Sequence, residues 1–297
     1  MVTEAQRQYL DRARNELTEH FVYHALAARE KNPANRDLLE KLSVQERTHY
    51  EFWKSLLPAE TNVSPRFLGR YGIPLLRTVF GITFTTKFLE LHEEDSVVIY
   101  TKMLATIPAE HKAHLQEIIK DEESHERGLI GALKERRVSY IGFVALGLAD
   151  AIVEITGVHA GFLGVTGSTL IAGISGVIVG FAAAISMGSA AYLQSKEDPE
   201  KSPIAAAFVT GISYMSSVIC LALPYFLIRT MITAFTTSTL IGMILLASFT
   251  FYGAVVFDRR FLREFSESAS LMLGTALATY LLGVVVGGAF HVNTASF

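Results

Sequence analysis

Residues 138–163 read VSYIGFVALGLADAIVEITGVHAGFL, an apolar run interrupted by only two charges, Asp150 and Glu154. A helix needs about 20 largely apolar residues to cross the hydrocarbon of a bilayer, so this stretch is long enough to span. Each carboxylate at that depth costs roughly 2.5–3.5 kcal/mol on insertion scales. Asp150 and Glu154 lie one helical turn apart and share a face. That cost makes little sense against lipid and good sense along a cation or proton path, so the pair is the first candidate functional feature.

Downstream the chain remains apolar to its end. Its few polar or turn-rich points divide it into five candidate spans, about 138–163, 168–194, 203–228, 234–257 and 268–291. The basic residues at the span ends set an orientation. Lys134, Arg136, Arg137, Lys196, Lys201, Arg259, Arg260 and Arg263 fall on one side and only Arg229 on the other. The positive-inside rule then predicts a cytoplasmic N-terminal region and an outside C-terminus. The small-residue pairs Gly157/Gly161, Gly176/Gly180 and Gly283/Gly287 offer places for close helix approach.

Upstream the solvent changes. Residues 1–137 carry 41 of the Lys, Arg, Asp and Glu side chains and residues 138–297 only 14. The first piece balances 20 basic against 21 acidic residues, which argues against nucleic acid as a partner. It is long enough to form one core. The single cysteine, Cys220, lies in an apolar stretch and supports neither an intrachain disulfide nor a thiolate cluster. The charged start, MVTEAQRQYLDRARNELTEH, lacks the apolar run of a cleavable signal peptide, so the first domain is expected in the cytosol.

Helical periodicity predicts helices over 3–31, 35–57 with Asn35 as N-cap, 75–106 and 109–136. Residues 58–74, with Pro58, Pro65, Gly69, Gly72 and Pro74, form a long connection between the second and third. Two helices, a crossover and two more helices describe a ferritin-like four-helix bundle. Two Glu-x-x-His tetrads, Glu46-Arg-Thr-His49 and Glu122-Glu-Ser-His125, fall on the second and fourth helices. Residues three apart share a helix face, so each tetrad presents a carboxylate and an imidazole together. Di-iron sites of this architecture take one Glu from each of the other two helices. The first helix offers Glu16, with Glu19 as its neighbour, and the third offers Glu90 and Glu93, with Glu94 adjacent. His20, His24, His92, His111 and His114 read as surface or packing residues.

The spacing of Glu16, Glu46-x-x-His49, Glu90-x-x-Glu93 and Glu122-x-x-His125, with Tyr23 after Glu16, resembles the erythrin or rubrerythrin branch of the ferritin-like superfamily over residues 1–136. The resemblance implies a di-iron centre whose ligands are Glu16, Glu46, His49, Glu90, Glu93, Glu122 and His125. Rubrerythrins commonly add a rubredoxin module with two Cys-x-x-Cys pairs, which Cys220 alone does not supply.

The stretches Gly147–Gly157 and Ser186–Tyr192, with Pro224-Tyr225, resemble the vacuolar iron transporter family over residues 137–297. That resemblance implies a homodimer moving ferrous iron, or manganese, out of the cytosol with protons as counter-ion. It maps Asp150 and Met187 onto the transport pathway. Where the family commonly has a glutamate before the second-span tyrosine this chain has Ala191, leaving Glu154 to compensate. The link between spans two and three, about 194–202, is too short for the cytoplasmic helical insert of eukaryotic members. A ferritin-like domain fused to such a membrane domain is similar to the bacterial membrane-bound ferritins. The expectation is therefore an all-α iron exporter of a prokaryotic cytoplasmic membrane. It has a di-iron bundle (1–136) that captures, senses or oxidises iron, and a five-span domain (137–297). Its rivals are a membrane-anchored ferroxidase or peroxidase and a manganese exporter.

Overall fold

The computed structural model describes residues 3–90, 93–124 and 138–290, without the side chains of 67–71, 74–75, 90 and 93–95. Among the described residues the chain is all-helical, with eleven α-helices and no strand. It divides into two compact units, Met1–Glu135 and Arg136–Phe297.

In the first unit α1 (Glu4–Ala27) starts at a capping box in which Thr3 and Gln6 satisfy each other's backbone N–H groups. Helix α2 (Pro33–Ser55) is capped by Asn32, whose side chain accepts from the backbone of Ala34 and Asn35, with Pro33 in the first turn. The cap is thus Asn32 rather than the expected Asn35, which is buried. A short link folds α2 back against α1.

In and before the stretch expected as one helix over 75–106 the structure describes α3 (Phe67–Phe80), which starts inside the expected connection, then α4 (Ile82–Glu90) and α5 (Glu93–Met103), with the residues between the last two outside the described ones. The interruption between α3 and α4 is Gly81, at φ 89° and ψ 172°, a conformation that side-chain-bearing residues rarely adopt. The Gly81 carbonyl accepts from both the backbone and the hydroxyl of Thr85, which restarts the helix. The helix expected over 109–136 opens on a 3₁₀ turn at Ala109–His111 and continues as α6 (Lys112–Ser124) to the end of the described stretch. The remainder of that expected helix, with His125, lies outside the described residues.

Helices α1, α2, α5 and α6 share a core of Ala13, Phe52, Trp53, Tyr100, Met103, Leu115 and Ile118. A second core joins Val22, Tyr23 and Leu26 of α1 to Leu39 and Leu42 of α2 and Ile82 of α4.

The second unit consists of α7 (Val138–Val165), α8 (Thr169–Ser195), α9 (Pro203–Leu227), α10 (Met231–Phe257) and α11 (Phe261–Ala289). All five are long and apolar enough to cross a membrane. Helix α7 is the most buried of them and packs against the other four. Its Ile152 and Ile155 enter a core with Tyr214, Val218, Leu246 and Met272. The outward faces leave large apolar side chains such as Ile178, Phe208, Ile244 and Leu277 exposed. That is the pattern expected when the surrounding solvent is hydrocarbon.

Helix α11 begins at Phe261 rather than near 268 because its first turns are polar, with Arg263 paired to Glu267 at 3.0 Å. The glycine pairs are spent inside the chain. A Cβ at Gly283 would lie 2.2 Å from the Gly161 carbonyl oxygen, and Gly176 and Gly180 accommodate His159 and Val218. These contacts let the helix backbones approach closely, as small residues do in membrane bundles.

Candidate metal centre and membrane carboxylates

Three helices of the first unit converge on one imidazole. Glu16 of α1, Glu46 and His49 of α2 and Glu122 of α6 offer ligand atoms that all lie within 4.8 Å of one another. The i,i+3 spacing of Glu46 and His49 aims both inward from α2. His49 Nδ1 is 3.2 Å from Glu122, 3.5 Å from Glu46 and 3.7 Å from Glu16. All four residues are at most 3% exposed. Three carboxylates around one imidazole, away from water, are an arrangement that a protein tolerates when protons or a cation neutralise them.

The electrostatics follow from that crowding. Burial, then the neighbouring Glu122 charge, pushes the Glu46 carboxyl well above its usual 4.5. Glu122 is raised as well, chiefly by burial. For Glu16 burial pulls the same way, but hydrogen bonding and charge from His49 outweigh it and hold this carboxyl below 4.5. Burial disfavours a charged His49, yet Glu122, Glu16 and Glu46 prevail and keep the imidazole protonated well beyond its usual 6.5. The cluster without metal is therefore a proton-holding assembly, and a cation entering it takes the place of those protons.

Two side chains that the sequence did not single out complete the surroundings. Asp121 lies 3.4 Å from His49 Nε2, on the side of the ring away from the three glutamates. A carboxylate there orients a metal-binding imidazole through its second nitrogen. Buried Tyr100 of α5 donates its phenol to Glu16. Asp121 adjoins Glu122 in sequence, so its position was visible but not its direction. Tyr100 is distant in sequence and carried no local signal.

Of the other sequence candidates, Glu19 is half-buried beside the cluster, its carboxyl held well above 4.5 by burial and then by Glu16 and Glu122. Glu16 is the residue that joins the cluster. The side chains of Glu90, Glu93 and Glu94, and all of His92 and His125, lie outside the described residues. Tyr23 packs in the second core. His20 bonds Ser43 through Nδ1, and His111 and His114 pack near Phe52.

The donor set fits a divalent transition metal, since carboxylate oxygen and imidazole nitrogen together suit iron, manganese and zinc. Glu16, Glu46, His49 and Glu122 are the residues that would hold it.

In the second unit Asp150 and Glu154 are both half-buried on α7. Glu154 accepts a hydrogen bond from the buried phenol of Tyr214 on α9. Helix α9 comes close enough for this because Gly147 faces it without a side chain. A Cβ there would lie 2.5 Å from the Thr210 carbonyl oxygen. A cavity of about 480 Å³ is lined by Glu154, Gly157, Gly161, Thr275, Thr279 and Gly283, among others. Met187 is half-buried against the core that holds Ala151 and Tyr214.

Comparison with protein-family models, curated proteins and solved structures finds no match to this chain. Among the described residues the chain is all-helical, with five helices long and apolar enough to cross a membrane and, in its first unit, a buried carboxylate–imidazole cluster that could hold a metal ion.

Proposed function

We propose that this protein exports ferrous iron from the cytosol across a prokaryotic cytoplasmic membrane. Its first unit captures the ion and its five-helix unit carries it out in exchange for protons. The observation that carries this reading is the presence, in one chain, of a buried Glu16/Glu46/His49/Glu122 cluster and a carboxylate pair inside a membrane-length helix. A helix that serves only as an anchor gains nothing from Asp150 and Glu154. This favours transport over a membrane-tethered ferroxidase or peroxidase.

The residues divide the work by their surroundings. The buried cluster exchanges its protons for metal, with Asp121 fixing the His49 ring and Tyr100 restraining Glu16. The iron ligands there are Glu16, Glu46, His49 and Glu122, joined in the ferritin-like reading by Glu90, Glu93 and His125 to make a di-iron centre. In the membrane, Asp150 and Glu154 replace part of the ion's hydration, Met187 offers a thioether and Tyr214 holds Glu154. The basic residues flanking the spans support an N-terminal unit in the cytoplasm and a C-terminus outside. A homodimer rests on the resemblance to the vacuolar iron transporter family, since the glycine faces are occupied within the chain.

Metal uptake by sealed vesicles containing the purified full-length protein tests this reading. Ferrous iron and manganese are offered separately while internal pH is followed. Iron movement coupled to counterflow of protons is expected. Manganese moving in preference to iron would reassign the cargo. Movement of neither ion would leave the membrane unit as an anchor.

A further inference from the structure

The chain's only tryptophan stands between two tyrosines that lead from the metal cluster toward the surface. Tyr100 donates its phenol to Glu16. Its ring lies 5.1 Å, centroid to centroid, from that of Trp53, and the Trp53 ring lies 5.9 Å from Tyr9 in a stacked arrangement. Tyr100 and Trp53 are buried, whereas Tyr9 is partly exposed. Apolar packing accounts for the two inner rings touching. It does not account for a row that has a cluster carboxylate at one end and a partly exposed phenol at the other. Tyrosine and tryptophan are side chains that surrender one electron without breaking a bond between heavy atoms, and rings this close exchange electrons rapidly.

We infer that Tyr100, Trp53 and Tyr9 form an electron relay that supplies the metal cluster from the protein surface when an oxidant meets it short of electrons. The inference rests on the cluster binding iron as proposed above. The demanding case is hydrogen peroxide at a cluster holding one ferrous ion. Peroxide needs two electrons and two protons to become two waters. One electron comes from the ferrous ion, which becomes ferric, and the other from Tyr100, whose phenolic proton passes along its hydrogen bond to Glu16. Trp53 then returns an electron to Tyr100 and the proton comes back from Glu16. The Trp53 indole N–H has no hydrogen-bond partner among the described residues, so it keeps its proton while oxidised. Tyr9 finally reduces Trp53 and releases its own proton to water. The sum is one ferrous ion, one Tyr9, one peroxide and one proton giving one ferric ion, one Tyr9 phenoxyl radical and two waters. The radical ends where a soluble reductant can reach it, and Glu16 and its neighbours are spared.

The test uses full-length protein loaded with one equivalent of ferrous iron and mixed with hydrogen peroxide. Rapid-freeze electron paramagnetic resonance and peptide mass mapping follow the radical and its products. In the wild type a tyrosyl signal and oxidised Tyr9 are expected. Trp53→Phe keeps an aromatic ring in the core but removes the relay. With iron still bound, Tyr9 oxidation should fall several-fold and the radical should remain at Tyr100. Tyr9→Phe, a change at a partly exposed position, should strand the radical at Trp53 and increase its oxidised products. Equal oxidation of Tyr9 in wild type and Trp53→Phe would overturn the relay, as would peroxide consumption by iron-loaded wild type with no aromatic radical or product. Failure of the wild type to bind iron, measured directly on the same sample, would overturn the iron-binding reading and the relay with it.

Discussion

Two groups of buried carboxylates in this molecule meet different fates. In the first unit Glu16, Glu46 and Glu122 gather around His49 Nδ1, and all four residues are buried. In the second, Asp150 and Glu154 are only half-buried, and Glu154 has one phenol, Tyr214, as its hydrogen-bonding neighbour. A closed set of three carboxylates and an imidazole holds a cation tightly. A pair with few partners among the described residues, Glu154 beside a cavity, would on the proposed reading hold one weakly enough to let it leave. On the proposed reading the same residue types would serve retention or passage according to how many converge and how much solvent remains.

The most drastic way to break the comparison is to empty the closed site. Combined Glu46→Ala, His49→Ala and Glu122→Ala should abolish tight metal binding by the full-length protein, measured by metal analysis after detergent purification. Retention of wild-type metal content would show that these residues are not the ligands. Asp121→Asn is subtler, since it leaves the ligands and weakens only the partner of His49 Nε2. An affinity loss of about 10–100-fold is expected. An unchanged affinity in a titration would show that Asp121 does not orient the ring.

Protons sharpen the contrast further. Glu46, Glu122 and His49 all have raised values in the folded, metal-free protein. Their contribution to stability is complete below their ordinary 4.5 and 6.5 and is lost as pH rises through the raised values. Glu16 runs the other way, but its window lies below 4.5. Metal affinity should therefore climb with pH, by about tenfold per unit for each proton displaced. The rise in melting temperature on adding metal should grow in step. Calorimetry in buffers of different ionisation enthalpy checks the proton release, and affinity independent of pH would contradict it. An effect of the same order as that of Asp121→Asn is expected from Tyr214→Phe, which removes one hydrogen bond to a carboxylate, worth roughly 1.5–3 kcal/mol. Slower metal flux with unchanged loading of the first unit is the expected outcome, and an unchanged rate would make the bond merely structural.

Much of this was legible in the sequence because it is periodic. Helix spacing placed Glu46 with His49, and apolar length marked five spans that the structure shows as helices within three residues of the expected ends, except that the last starts seven residues earlier. What escaped is local backbone exception and long-range contact. Gly81 falls inside the helix expected over 75–106, and only its positive φ reveals a break. Tyr100 and Tyr214 reach carboxylates far away in sequence, through helix packing that no spacing rule encodes. Adjacent carboxylates also blur direction. The sequence left Glu16 and Glu19 as alternatives, and convergence with α2 and α6 distinguishes them.

The central claim is that one set of carboxylates retains metal and the other passes it. Asp150→Asn tests it most directly, because the substitution preserves shape and removes charge at mid-span. Metal bound to the first unit and metal flux across sealed vesicles are measured on the same full-length preparation. Normal loading with collapsed iron movement is the predicted result. Wild-type flux by Asp150→Asn across a range of pH would contradict it.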